Sequence, residues 1–257
     1  MNFLPLPDKV YKYRSAESAI ELLIEQTIYL PSVSKFNDPF DCKIPMNFVE
    51  MADDEQLQRL FIEKFLIHED TPLDKRIEKV ETILADGKIK NKETLHKMEE
   101  SRISQMEKVF GVFCTSVISD NLLMWSHYGD SHRGICIGFN PMKLIDVINP
   151  TWVAPVSYSF DYPKISILEH PEQILEIMLF NKSVDWLYEK EMRFVKNTTQ
   201  GGCKLTIPTE VIEEVYLGCM TTRETESQIL QITADKYPQV RVVKYKKNKL
   251  TFKLENE

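Results

Sequence analysis

Residues 53–108 place apolar side chains at helical spacing on a polar background, while the flanking segments break into short strand-like runs between amphipathic stretches. Strands and helices that interleave so irregularly exclude a regular βαβ repeat and point to an α+β class. The 257 residues contain only 8 glycines and no Ser/Gly/Pro-rich linker. A single α+β domain over 1–257, with a helical insertion at about 50–108, is therefore expected.

Local chemistry sharpens the elements. Lys9–Arg14 alternates as a short strand, and Ser15 opens a helix to about Glu25. Ile28–Leu30 is extended and ends at Pro31, and Phe36–Asp41 is a turn by its Asn-Asp-Pro core. Asp53 with Gln56 resembles a capping box, and amphipathic helices follow over roughly 73–85 and 92–108, separated by Asp86-Gly87. Strands are expected at 110–116, 134–139, 153–160, 188–196 and 215–218, with 202–207 as the neighbour of 188–196. Pro171 opens a helix to about Leu187, and Thr221 with Glu224 forms a second capping box.

The formal charge of −7 argues against a phosphate-coating surface, so no strong nucleic-acid signature is present. The exception is 241–253, where Arg241, Lys244, Lys246, Lys247, Lys249 and Lys253 alternate with Val242, Val243, Tyr245, Leu250 and Phe252. That pattern fits a hairpin with a wet basic face, whose lysines guard an edge strand. Five cysteines with no CxxC spacing read as reduced thiols in a cytoplasmic protein. No apolar run is long enough to span a bilayer, and Pro5, Pro7, Asp8 and Lys9 stand where a signal peptide would be apolar.

Three segments carry candidate chemistry: Tyr11-Lys-Tyr-Arg14, Phe113-Cys-Thr-Ser116 and Tyr188-Glu-Lys-Glu191. An arginine can fork onto a diphosphate, a strand-end hydroxyl can fix a carboxylate or a ribose, and a carboxylate can stabilise an oxocarbenium-like sugar. Arg14, Ser116 and Glu191 are the candidates for these roles. Glu189 is expected on the same strand face as Glu191, where it would engage the acceptor. Each also has a plainer reading. Arg14 can be a surface or ion-pair residue, Thr115-Ser116 can cap the next helix, and Glu189 and Glu191 beside Arg193 can form an exposed charge ladder.

In Met124–Gly134, Trp125 and Tyr128 are candidates to stack on a base or nicotinamide ring and His127 to shuttle a proton. Trp125 and Tyr128, three residues apart, equally suit a core anchor. The spacing of His127, His132 and Cys136 lacks a fourth ligand, so no metal is expected. Asn37 and Asp38 read as an Asx turn, joining a site only if that turn faces the cleft.

Together, Tyr11–Arg14, Phe36–Asp41, Met124–Tyr128, Gly134–Phe139 and Trp186–Arg193 resemble a bacterial family known only as domain of unknown function 2971. That resemblance covers most of the chain and implies a bacterial or phage-related cytoplasmic protein, without an activity. A looser resemblance links the chain to the Arg–Ser–Glu class of ADP-ribosyltransferases. It implies a bent, split mixed sheet with NAD as substrate. It would give Arg14 to the phosphates or ribose, Thr115 and Ser116 to the Ser-Thr-Ser strand, Glu191 to catalysis and Glu189 to the acceptor. Cys114 departs from that pattern, as does the long helical block between Arg14 and Ser116.

Three functions follow as expectations. One is an NAD-consuming transferase or glycohydrolase of toxin or defence type. Another is a non-catalytic module binding a nucleotide or small ligand through Trp125, Tyr128, Arg14 and Arg193. The last is a metal-dependent hydrolase or nuclease using Asp38, Asp41, Glu189 and His127. The acceptor macromolecule and the oligomeric state are not readable, and no membrane partner is expected.

Overall fold

A computed structural model describes residues 5–166 and 169–257. Its helices are α1 (Ala16–Glu25), α2 (Glu55–Phe61), α3 (Leu73–Asp86), α4 (Lys92–Val109), α5 (Leu122–His127), α6 (Pro141–Ile148), α7 (Pro171–Phe180) and α8 (Arg223–Lys236). The strands are β1 (Val10–Arg14), β2 (Thr27–Pro31), β3 (Phe110–Ser116), β4 (Ile135–Phe139), β5 (Trp152–Pro155), β6 (Ser157–Ser159), β7 (Asn181–Ser183), β8 (Glu191–Asn197), β9 (Gly202–Thr206), β10 (Ile212–Leu217), β11 (Arg241–Lys247) and β12 (Leu254–Asn256). The α+β class is as expected.

The chain divides into two compact units, one of residues 1–36, 108–158 and 184–257, the other of 37–107 and 159–183. The first contains an eight-stranded sheet in the order β12-β11-β10-β4-β1-β3-β8-β5. β10 and β11 run parallel and the other neighbours antiparallel, so the sheet is mixed. One face packs an aliphatic core from Val10, Phe113, Ile135, Ile137, Met192 and Phe194 with residues of α1, α6 and α8. The other carries an aromatic cluster of Tyr13, Trp125, Tyr216 and Tyr245 around Cys136. Strand pairing fixes this division, since residues directly opposite one another project to the same face.

The β1–β3 seam is narrow: Tyr11 pairs with Ser116, and Lys12 Nζ reaches across to donate to the Cys114 carbonyl at 2.6 Å. Burial depresses the Lys12 ammonium below its usual range, and its Nζ lies over the Phe113 ring at 5.3 Å.

The second unit is mainly helical. Phe48, Phe61 and Phe65 pack edge-on or tilted, and buried Glu99 accepts from the Met46 and Phe48 amides at 2.7 and 3.2 Å. The stretch expected as an insertion, about 50–108, falls largely in this unit together with 159–183.

Several boundaries differ from expectation for identifiable reasons. Asp54, not Asp53, caps α2, accepting from the Gln56 and Leu57 amides, because Asp53 closes a preceding 3-10 turn. Thr222, not Thr221, caps α8, while Thr221 donates to the Gly134 carbonyl. α7 stops at Phe180, where the Asn181 side chain donates to the Ile177 carbonyl and the backbone turns extended. β9 pairs with β2, not with β8. The expected 153–160 strand is divided into β5 and β6.

One backbone position is held with unusual tightness. A Cβ added at Gly134 would lie 2.1 Å from the Arg14 carbonyl oxygen, whereas one at Gly87 would meet open space in a left-handed conformation at φ +72°. Gly134→Ala should destabilise the fold by more than about 3 kcal/mol in denaturant titration, since backbone must move. Gly87→Ala should cost only about 1 kcal/mol. Equal costs would contradict the packing described for the Arg14–Gly134 contact.

Candidate functional site

The sequence candidates divide between the two faces of the sheet. Ser116 stands opposite Glu191, and Cys114 opposite Arg193, on the aromatic face. Arg14 pairs with Ile135 and Thr115 with Met192, both partners belonging to the aliphatic core, so Arg14 and Thr115 project to the opposite face. The expected convergence of Arg14, Ser116 and Glu191 is thus corrected by strand parity: Arg14 is three residues from Tyr11, the partner of Ser116, and an odd offset reverses the face. The Arg14 Nε is buried with no hydrogen-bond partner among the described residues, and burial pulls the guanidinium below its usual range. Thr115 Oγ1 donates to the Met192 carbonyl at 2.9 Å.

Glu189 and Glu191 do not share a strand face either. β8 begins at Glu191, Glu189 ends a 3-10 turn, and Lys190 between them is left-handed at φ +42°. Nor are they an exposed charge ladder, because Glu189, Glu191 and Arg193 are buried. Both oxygens of Glu191 are engaged by Arg193, Oε1 from Nε at 2.8 Å and Oε2 from Nη2 at 2.9 Å. This bidentate pair lies within β8 itself, and the guanidinium also covers the Phe36 ring at 5.3 Å.

Glu189 is tied by two distant segments. Ser116 Oγ donates to its carbonyl at 2.6 Å and accepts from the Ile118 amide, while the Tyr128 hydroxyl donates to Glu189 Oε1 at 2.6 Å. Beside it, His127 Nδ1 and the Tyr188 hydroxyl are 2.9 Å apart, with His127 exposed at the end of α5. Asn121 caps α5 by accepting from the Leu123 and Met124 amides, so Ser116 is not the cap.

Trp125 is fully buried, its Nε1 donating to the Ser119 carbonyl at 2.8 Å and its ring edge-on to Tyr13 and Tyr245. It is the core anchor, not an open stacking platform. The loop after α5 runs through three successive left-handed residues, Asp130, Ser131 and His132. It ends at Gly134, whose carbonyl accepts from the Gly218 amide at 3.0 Å.

Burial, together with Glu191, lifts the Cys114 thiol well above its usual range, which suits a neutral donor and not a thiolate nucleophile. Among the described residues no group of three or more His, Cys, Asp or Glu is placed to hold an ion. Asn37 and Asp38 belong to the second unit. There Asp38 makes the expected Asx turn, accepting from the Phe40 amide at 2.9 Å, and Asp41 lies 3.4 Å from Lys182.

Residues 124–194 match the model of the family described as Protein of unknown function (DUF2971). The chain is similar to that family over this segment. The match to domain of unknown function 2971 begins within α5, contains β4 and the Trp186–Arg193 words, and ends within β8. Tyr11–Arg14 and Phe36–Asp41 lie outside it. No curated protein and no solved structure matches the chain. No helix among the described residues is long and apolar enough to cross a membrane.

Tyr188 is the member of the cluster to which the sequence reading assigns no role. Its place beside Glu189 in the Tyr188–Glu191 segment is the available signal. A cavity of about 540 Å³ lies elsewhere, lined by Leu122, His132, Cys219, Met220, Leu250 and Phe252 among others.

The tyrosines of the aromatic face have a measurable consequence. Burial, with Glu214, pushes Tyr216 up to about 12, and burial also raises Tyr11, Tyr13 and Tyr245. Their folded values exceed the unfolded value of about 10, so this stabilising contribution is complete below pH ~10 and is lost as pH rises through the folded values. Phenolate absorbance should therefore show a delayed group of tyrosines that ionises only as the fold is lost. Uniform titration near pH ~10 with native circular dichroism would contradict the described burial.

Proposed function

We propose that the chain acts on a nucleotide at the cluster around Glu189, with NAD as substrate and its nicotinamide–ribose bond as the one cleaved. The observation that carries the reading is the holding of one buried glutamate by hydroxyls from two distant segments, Ser116 on its backbone carbonyl and Tyr128 on its carboxylate Oε1. A left-handed non-glycine residue follows directly at Lys190, and such strained positions cluster at functional sites.

The looser resemblance assigns catalysis to Glu191. The bidentate engagement of Glu191 by Arg193 supports giving that role to Glu189 instead. In the reaction, the bond between C1′ and the ring nitrogen breaks and its electron pair leaves with neutral nicotinamide. The carboxylate stabilises the positive charge on the sugar, and water or an acceptor hydroxyl adds at C1′ and releases a proton. The exposed His127 beside Tyr188 is placed to take that proton, and Tyr128, half-buried, to border the ring. Arg14 has no part in this chemistry.

Purified protein should release nicotinamide from NAD, alone or with bacterial lysate as acceptor. Glu189→Gln should lower release at least about 100-fold with native circular dichroism, the scale of losing one preorganised electrostatic group. Arg14→Lys should leave release unchanged, whereas the Arg–Ser–Glu assignment requires its loss. A second reading, binding without turnover, draws on the occupation of Glu191 by Arg193 and would be selected by a thermal shift with NAD and no product. Neither release nor a shift would end both readings.

A further inference from the structure

The β11–β12 hairpin presents a feature that the Glu189 cluster does not use. At its tip Leu250 and Phe252 are 93% and 97% exposed, although two large apolar side chains this close together are normally covered. The tip is an ordered turn. Asn248 Oδ1 accepts from the Leu250 and Thr251 amides, each at 2.8 Å, and the Asn248 amide donates to the Lys253 carbonyl at 3.0 Å. The apolar pair is thus held outward by the backbone of the turn.

The surroundings are apolar beneath and cationic at the rim. Met220 and Leu122, themselves exposed, line the same concavity as Leu250 and Phe252. Lys247, Lys249 and Lys253 border it and form no ion pair among the described residues. The nearest carboxylate on the hairpin, Glu255, is occupied by Lys246 and by the Asn248 amide group. Lysines guarding a bare edge would lie along the outer strand β12, but these flank the tip. The local positive charge stands out on a chain of net charge −7.

We infer that this tip is a peripheral docking surface for an anionic lipid bilayer, with Leu250 and Phe252 entering the interface and Lys247, Lys249 and Lys253 meeting the headgroups. Apolar insertion and lysine attraction act together in this way at membrane surfaces. The choice of lipid over single-stranded nucleic acid rests on the apolar pair: Leu250 offers no stacking face, and one phenyl ring does not make a platform for successive bases.

Co-sedimentation of the full chain with phosphatidylglycerol–phosphatidylcholine vesicles tests this directly. The protein should pellet with those vesicles at low salt, bind less as salt rises, and stay in solution with pure phosphatidylcholine. Leu250→Ser with Phe252→Ser should lower partitioning by more than about tenfold, and Lys249→Glu by at least about fivefold. All three positions are exposed, and native circular dichroism of the variants would establish that folding is unaffected. Failure of the wild type to pellet, or equal pelleting by the Leu250/Phe252 double variant, would overturn the inference. So would binding of a single-stranded oligonucleotide at this tip without any vesicle binding.

Discussion

The buried pairing of Glu191 with Arg193 is the constraint around which β8 and its neighbours are arranged. A guanidinium with no exposed surface cannot remain unpaired, because the desolvation cost of an isolated buried charge is several kcal/mol. β8 meets part of that demand locally: residues two apart on a strand share a face, so one carboxylate and one guanidinium can engage. Around this pair the Phe36 ring, the Cys114 thiol and the Tyr158 hydroxyl, which accepts from the Glu191 amide at 2.9 Å, complete a polar island on the sheet. Glu191 thus meets Arg193 within β8, while Glu189, outside the strand, accepts from the Tyr128 hydroxyl.

The same sheet carries two interiors of different character. The aliphatic face is closed by helices and gains its stability from area removed from water. The aromatic face buries tyrosines that bring hydroxyls with them, and each must find a partner: Tyr13 donates to the Ile118 carbonyl, Tyr216 to Glu214, and Tyr245 shares a hydrogen bond with Ser119. Gly138 belongs to this economy, since a Cβ there would lie 3.1 Å from the Tyr11 ring. Such a face is rich in fixed hydroxyl positions, which is what a site orienting a carboxylate requires. Ser116 and Tyr128 supply two of them to Glu189.

Much of the fold was legible because local chemistry and tertiary packing agreed. Ser15 caps α1 as read, and 10–14, 110–116 and 135–139 are strands whose alternation or apolar run is unambiguous. Legibility failed where a single residue decides register. Asp53 and Asp54 are chemically equivalent candidates for a cap, and only the preceding 3-10 turn selects the second. Glu189-Lys190-Glu191 reads as alternation on a strand, but a left-handed Lys190 breaks the period between the two carboxylates. Leu250 and Phe252 continue the hairpin's apolar alternation in sequence and yet sit on its exposed turn.

For the site, the residue types were readable and their faces were not. Parity along β1 depends on pairing with both β3 and β4, a long-range property that no local window contains. That is why Arg14 stood beside Ser116 and Glu191 as a candidate and projects away from them in the fold. Trp125 was weighed as anchor and as platform, and its complete burial decides for the anchor. The family match adds a boundary, residues 124–194, that encloses Tyr128, Glu189 and Glu191 but neither Arg14 nor Ser116.

The most direct measurement is a double-mutant cycle on Glu191 and Arg193 by denaturant unfolding. If the pair is a buried structural unit, Glu191→Gln and Arg193→Met should each cost about 3–5 kcal/mol. The double variant should cost less than their sum by roughly 1–3 kcal/mol. Additive losses below about 1 kcal/mol each would mark a solvent-screened pair. That result would return Glu191 to the list of carboxylates available for catalysis.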